Sequence, residues 1–74
     1  MRTEAIKTMF TAGTKIRLIR MIDEPQMERG LLGTVQFVDD IGQIHMVWDN
    51  GSTLALSMDD DFEVISDFYD IHFK

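Results

Sequence analysis

The sequence predicts a small, mainly β domain with a short helix before the sheet and an extension after it. Turn-favouring residues recur at intervals of about eight to twelve residues, and the segments between them alternate apolar and polar side chains, as half-buried strands do. The chain has 74 residues, of which 45% are hydrophobic, and this is enough for one small core. We therefore expect a single folded unit built from short antiparallel strands.

The predicted elements follow one another in a simple order. Ile6, Met9 and Phe10 have the i, i+3, i+4 spacing of one helix face, which predicts one or two helical turns packed on the sheet. Alternation and β-branched content then predict five strands. These strands are expected at Lys15–Met21, Thr34–Val38, Gln43–Trp48, Thr53–Leu56 and Phe62–Ile65.

Turn residues separate these strands. Pro25 interrupts the chain after the first strand, because proline removes a donor that a strand ladder needs. The stretch Asp39–Gly42 predicts the next turn, and Asn50-Gly51 predicts a tight hairpin because both residues tolerate positive φ. Five such strands favour a strongly curved, SH3-like barrel, whose closure limits exposed edges.

Three segments are expected along the chain: a helical or flexible N-terminal segment at 1–12, the barrel at 13–65 and a C-terminal extension at 66–74. In the extension, Tyr69, Ile71 and Phe73 alternate in phase, so this segment is suited to add a strand to a sheet edge or to pair with a second copy. The chain has no cysteine, no signal-peptide pattern and no apolar run of about 20 residues, which favours a cytoplasmic protein.

Charge is unevenly distributed along the sequence. The first 29 residues carry six basic and four acidic side chains, whereas residues 30–74 carry one basic and nine acidic side chains. The formal net charge of −6 disfavours binding to a nucleic-acid backbone and favours attraction to a basic protein surface. The candidate partner-binding residues imitate the phosphates that lysine and arginine otherwise neutralise. They are Asp39, Asp40, Asp49, Asp59, Asp60, Asp61 and Glu63.

A metal site is the weaker interpretation of these acids. The run Asp59–Asp61 offers oxygen ligands to a hard cation, but it lacks the glycine and the spacing of a calcium loop. A solvated loop or a contact surface is therefore favoured. His45 and His72 are too few for a zinc site, which needs three or four ligands. No metal and no cofactor are expected.

Four apolar side chains are candidate anchors for a partner: Val47, Trp48, Tyr69 and Phe73. Trp48 shares one strand face with Ile44 and Met46, and this predicts a core position. If the opposite face, with His45 and Val47, is the buried one, Trp48 becomes a surface anchor of the kind enriched in binding hot spots. No catalytic residue is expected, because the chain has no cysteine and a barrel this small fills its interior with its own side chains.

Four blocks of the sequence resemble a known family. They are Gly13–Leu18, Gly33–Val35, Val38–His45 and Trp48–Ser52. Together they resemble DUF4314, a small bacterial and phage family of unknown function, over about Gly13 to Ile65. The resemblance implies a compact SH3-like barrel related to KOW modules, and an occurrence in Gram-positive bacteria, their phages and mobile elements. It implies no activity.

These observations predict a non-enzymatic acidic module from a phage or mobile element. It would inhibit a nucleic-acid-handling host defence protein, of the anti-CRISPR or anti-restriction type, by occupying a basic groove. One alternative is a KOW-like module that contacts RNA or the transcription or translation machinery through Lys15, Arg17, Arg20 and Arg29. Another alternative is a structural domain that forms a homodimer through its C-terminal extension.

Overall fold

The computed structural model describes residues 2–65, which form one helix and four strands. The elements are α1 (Arg2–Met9), β1 (Lys15–Arg20), β2 (Leu32–Val38), β3 (Ile44–Trp48) and β4 (Asp61–Ile65). The strands form one antiparallel sheet in the order β3-β2-β1-β4. The prediction of a mainly β architecture with a short N-terminal helix is confirmed. The extension at 66–74, with its candidate anchors Tyr69 and Phe73, lies outside the described residues.

The predicted fourth strand, at 53–56, is wrong. Within residues 2–65, this segment joins the ladder only through an isolated bridge between Leu56 and Ile44, and the sheet does not close into a five-stranded barrel. The reason lies at Leu54, whose backbone groups are taken by side chains. Its carbonyl accepts the indole N–H of Trp48 at 3.0 Å, and its N–H donates to Oγ of Ser52 at 3.2 Å.

The core lies on one face of the sheet. The largest fully buried side chains are Ile16, Leu18, Val35, Ile44, Met46, Trp48 and Leu56. Trp48 is only 1% exposed, and the hydrogen bond to Leu54 satisfies its one polar atom. The core position predicted for Trp48 is confirmed, and this side chain is not available as a surface anchor. Val47, which points to the opposite face, is 46% exposed.

Gly33 makes room for the buried indole. Gly33 lies opposite Trp48 in the pairing of β2 with β3, and a Cβ added at Gly33 would lie 2.5 Å from Cε3 of the indole. Carbon atoms that are not bonded to each other pack at about 3.5–4.0 Å. Trp48 therefore needs a glycine at this position. The sequence carries no signal for this role of Gly33, because the role depends on the register between two strands.

Helix α1 packs beside the turn between β2 and β3. Lys7 Nζ donates to Oδ1 of Asp40 at 2.9 Å, and the hydrogen bond from Phe10 N–H to the Ile6 carbonyl, at 2.9 Å, turns the chain toward the core. Ile6 is partly buried and Phe10 is buried, whereas Met9 is exposed, which corrects the predicted helix face. Among residues 2–65, no helix has the length and apolar character needed to cross a membrane.

Candidate protein-binding face

The solvent-facing side of the sheet, here called the outer face, carries the residues that alternate with the core. The strand register arranges them in rows that run across the sheet. One row pairs Phe37 with His45, and the next aligns Val47, Thr34, Lys15 and Ile65. In the third row Leu32, Arg17 and Glu63 follow one another, and the N–H of Asp49 donates to the Leu32 carbonyl at 2.8 Å.

An apolar patch lies on the outer face and consists of Leu32, Phe37 and Val47. Their exposed fractions are 41%, 54% and 46%. Val47 lies opposite Thr34, between the row of Leu32 and the row of Phe37, so it is a diagonal neighbour of each of these two residues. Exposed apolar residues that adjoin one another and are rimmed by polar groups are typical of protein contact sites.

The sequence pattern predicts Val47 as a candidate anchor but gives no indication of Phe37. In a regular strand, Phe37 would share the buried face of Val35, because the two residues are two positions apart. The register of β2 against β3 shifts between Val35 and Phe37, and such a bulge moves the following side chain to the other face. A bulge of this kind has no clear signal in the sequence.

His45 is held in place on the outer face from two sides. Its ring stacks on Phe37 with 4.3 Å between centroids and 6° between planes, and Nε2 lies 2.8 Å from Oδ2 of Asp39. Asp39 also accepts the backbone N–H of Gln43 at 2.9 Å and that of Ile41 at 3.1 Å. The hydrogen bond with His45, followed by that from Gln43, lowers the pKa of Asp39.

Within residues 2–65, His45 lies beside Asp39 but belongs to no larger cluster of metal-binding side chains. Among residues 2–65, no set of three or more histidine, cysteine, aspartate or glutamate residues is placed to hold a metal ion. His72 lies outside the described residues. His45 and Asp39 are instead part of the turn between β2 and β3 and of the stack on the outer face.

Three of the predicted contact acids lie against basic side chains from the first part of the chain. The pairs are Lys7–Asp40 at 2.9 Å, Arg17–Glu63 at 3.0 Å and Arg20–Asp61 at 3.5 Å. The hydrogen bond to Asp40 raises the pKa of Lys7. Two of these pairs exist because β4 lies beside β1 in the sheet. The separation of charge along the sequence is therefore not a separation in space.

The other contact acids have different environments. Asp60 accepts the backbone N–H of Ile22 at Oδ1 and that of Ser57 at Oδ2, both at 2.9 Å, and so ties the loop after β1 to the segment before β4. In the described part of the chain, the carboxylates of Asp49 and Asp59 take part in no ion pair. Asp49 lines a groove of about 280 Å³ on the outer face, beside Leu32 and Lys15.

The comparisons with known proteins give one result. A family model described as Domain of unknown function (DUF4314) matches residues 1–65. Neither the curated proteins nor the solved structures contain a significant match to the chain. The family match includes α1, the whole described sheet and the turns that carry the resembling blocks. Because this match covers most of the 74 residues, the chain belongs to the DUF4314 family.

Proposed function

We propose that the chain is a non-enzymatic, acidic protein-binding module whose outer face contacts a basic protein surface. The observation that carries the proposal is the pairing of Arg17 and Arg20 with acids on β4. The basic residues of β1 are thereby balanced locally, and the net charge of −6 leaves the unbalanced charge negative. The apolar patch beside Asp49 supplies contact area of the kind that protein partners use.

The paired acids also suit this function. Their ion pairs are exposed, and exposed pairs contribute only about 0–1 kcal/mol each. A lysine or arginine of a partner can replace the intramolecular base at little cost. Within residues 2–65, Asp49 and Asp59 take part in no ion pair, so a partner's lysine or arginine can bind them without replacing another base. The partner surface is therefore expected to be basic around an apolar centre.

The proposed partner is a nucleic-acid-handling defence protein, and the proposed source is a phage or mobile element. A groove that normally neutralises phosphates presents several lysine and arginine side chains, which is the surface that these carboxylates complement. Occupying that groove would exclude the nucleic acid and inhibit the protein, as anti-CRISPR and anti-restriction proteins do. This assignment rests on charge complementarity and on the family resemblance.

The experiment compares two variants of equal charge. Host proteins captured by the chain are purified and titrated with wild type, with the double variant Asp49→Lys/Asp59→Lys, and with the control Glu4→Lys/Glu28→Lys, two exposed positions outside the grooves that Asp49 and Asp59 line. Reversal at Asp49 and Asp59 should weaken binding by about tenfold or more, since like charges then face each other. The control should stay close to wild type, and wild-type binding should weaken with salt and compete with DNA. Equal affinities for the two double variants would overturn the proposal.

A KOW-like contact with RNA is the competing function. Its candidate contacts Arg17 and Arg20 each lie beside a carboxylate, Glu63 and Asp61, and these carboxylates would repel phosphates. A labelled RNA titrated with the chain at low salt should show no binding at micromolar concentration. Binding there would favour this alternative over the protein-binding module.

The finer fold assignment, an SH3-like barrel, is part of the proposal. It is supported by the order of the four strands and by the bridge from Leu56 to Ile44, which lies at the edge of β3 that does not pair with β2.

A further inference from the structure

The groove that Asp49 lines on the outer face carries charges of both signs. Its lining also includes Lys15 and Arg17 of β1. Lys15 pairs with Thr34 across one edge of β2, and the N–H of Asp49 donates to the Leu32 carbonyl across the other edge. Lys15 and Asp49 thus lie on opposite sides of β2, two strand spacings or about 10 Å apart along the backbone. The groove therefore has a basic side and an acidic side.

The charges on these two sides differ from the paired charges elsewhere on the sheet. Within residues 2–65, neither Lys15 nor Asp49 takes part in an ion pair, whereas Arg17 lies 3.0 Å from Oε1 of Glu63. Nζ of Lys15 donates to Oγ1 of Thr34 at 2.9 Å, which uses one of the three donors of the ammonium group. The basic side is therefore suited to a carboxylate, and the acidic side is suited to a lysine or arginine.

The groove is small and partly apolar. Leu32, which is 41% exposed, lines it together with Ile65 of β4. Its volume of about 280 Å³ lies below the range of roughly 300–1,000 Å³ that is typical of small-molecule sites, so side chains from a protein surface suit it better than a separate small ligand. A nucleic-acid strand is disfavoured because Asp49 repels phosphates.

We propose that this groove binds a segment of the partner protein that places a carboxylate against Lys15 and a lysine or arginine against Asp49, with an apolar side chain on Leu32 between them. The inference rests on the proposed function and narrows it. A uniformly basic surface would place a cation against Lys15, and like charges that face each other across an interface reduce affinity. The basic surface of the partner therefore includes an acidic residue at this point.

The test reverses the charge of Lys15 in the full-length chain. Lys15→Glu and the control Arg29→Glu each replace a base by an acid and lower the formal net charge of −6 by the same amount. Arg29 is exposed and does not line the groove. We expect Lys15→Glu to bind the captured and purified host protein about tenfold or more weakly than wild type does, because it opposes a carboxylate. Arg29→Glu should bind as tightly as wild type or more tightly.

A carbodiimide identifies the group that faces Lys15, because this reagent couples an amine to a carboxylate with loss of water. In the wild-type complex, mass spectrometry should find an amide between Lys15 and an aspartate or glutamate of the host protein. Lys15→Arg keeps the positive charge, so it should bind about as tightly as wild type and lose this cross-link. Urea unfolding followed by the fluorescence of Trp48 checks that each variant is folded.

Equal affinities of Lys15→Glu and Arg29→Glu for the host protein would overturn the inference. The proposed function would still stand if reversal at Asp49 and Asp59 weakened binding, and it would fail together with the inference if that reversal had no effect. Binding of labelled DNA or RNA by wild type that Lys15→Glu abolishes would assign the basic side of the groove to a phosphate. This result would also overturn the inference.

Discussion

Asp39 and Asp60 each hold a loop by accepting backbone hydrogen bonds, but they act over different distances along the chain. Asp39 accepts the N–H groups of Ile41 and Gln43, two and four residues later. Asp60 accepts the N–H of Ile22, 38 residues earlier, in addition to that of Ser57. The same carboxylate chemistry closes a local turn in one case and ties β1 to the start of β4 in the other.

The difference shows why a run of acidic residues is a poor description of a surface. Three consecutive aspartates have three different environments. Asp59 takes part in no ion pair within residues 2–65, Asp60 is bonded to backbone N–H groups, and Asp61 lies 3.5 Å from Arg20. Only contacts between distant segments distinguish them.

The largest expected effect on stability comes from the pairing of β2 with β3, the two strands that the Asp39 turn connects. The Gly33→Ala variant places a methyl group against the indole of Trp48, so the indole or the strand must move. We expect a loss of about 1–3 kcal/mol in the free energy of unfolding, as for other overpacked core sites. Urea unfolding followed by the fluorescence of Trp48, the single tryptophan, measures this loss.

The control for this prediction is Gln36→Ala, an exposed position on the same strand. Its free energy of unfolding should stay within about 0.5 kcal/mol of wild type. If Gly33→Ala were as stable as the control, the contact between Gly33 and Trp48 would not limit the packing.

Local signals predicted much of the fold. The turn at Asp39–Gly42 and the turn at Asn50-Gly51 both form, with Gly42 and Gly51 at positive φ, and the helix lies in the segment where apolar spacing predicted it. These features depend on residues within a few positions of one another. The segment 53–56 shows the limit of such signals, since side chains from Ser52 and Trp48 take the hydrogen bonds that a strand would need.

The candidate site was less predictable than the fold. The position of Phe37 depends on a bulge, and the pairs formed by Arg17 and Arg20 depend on which strand lies beside β1. Neither feature follows from hydrophobic periodicity or from charge counts. The exposed position of Val47 was predictable, because it follows from the alternation of β3 alone.

Asp60 gives the next largest expected effect and tests the long-range half of the comparison. The Asp60→Ala variant leaves the N–H groups of Ile22 and Ser57 without their acceptor. We expect a loss of about 1–2 kcal/mol in the free energy of unfolding, similar to the loss of a helix-capping side chain. Asp59→Ala removes the same charge one residue earlier and should cost less than about 0.5 kcal/mol. Equal losses for the two variants would mean that Asp60 stabilises the fold through its charge alone and not through its hydrogen bonds to Ile22 and Ser57.

The smallest expected effect concerns Asp39 and appears only in acid. Hydrogen bonds from His45 and Gln43 lower the pKa of Asp39 in the folded protein, so the folded state favours the charged carboxylate. This contribution to stability is fully present above the pKa of the unfolded chain and is lost as the pH falls below roughly 4 and through the lower folded pKa. Unfolding free energies from about pH 5 to pH 2.5 should therefore fall less steeply for Asp39→Asn than for wild type. His45→Gln should lie between them, because the imidazole is the largest cause of the shift. Parallel curves for the three proteins would show that the local turn, unlike the tie at Asp60, is not held by a charged carboxylate.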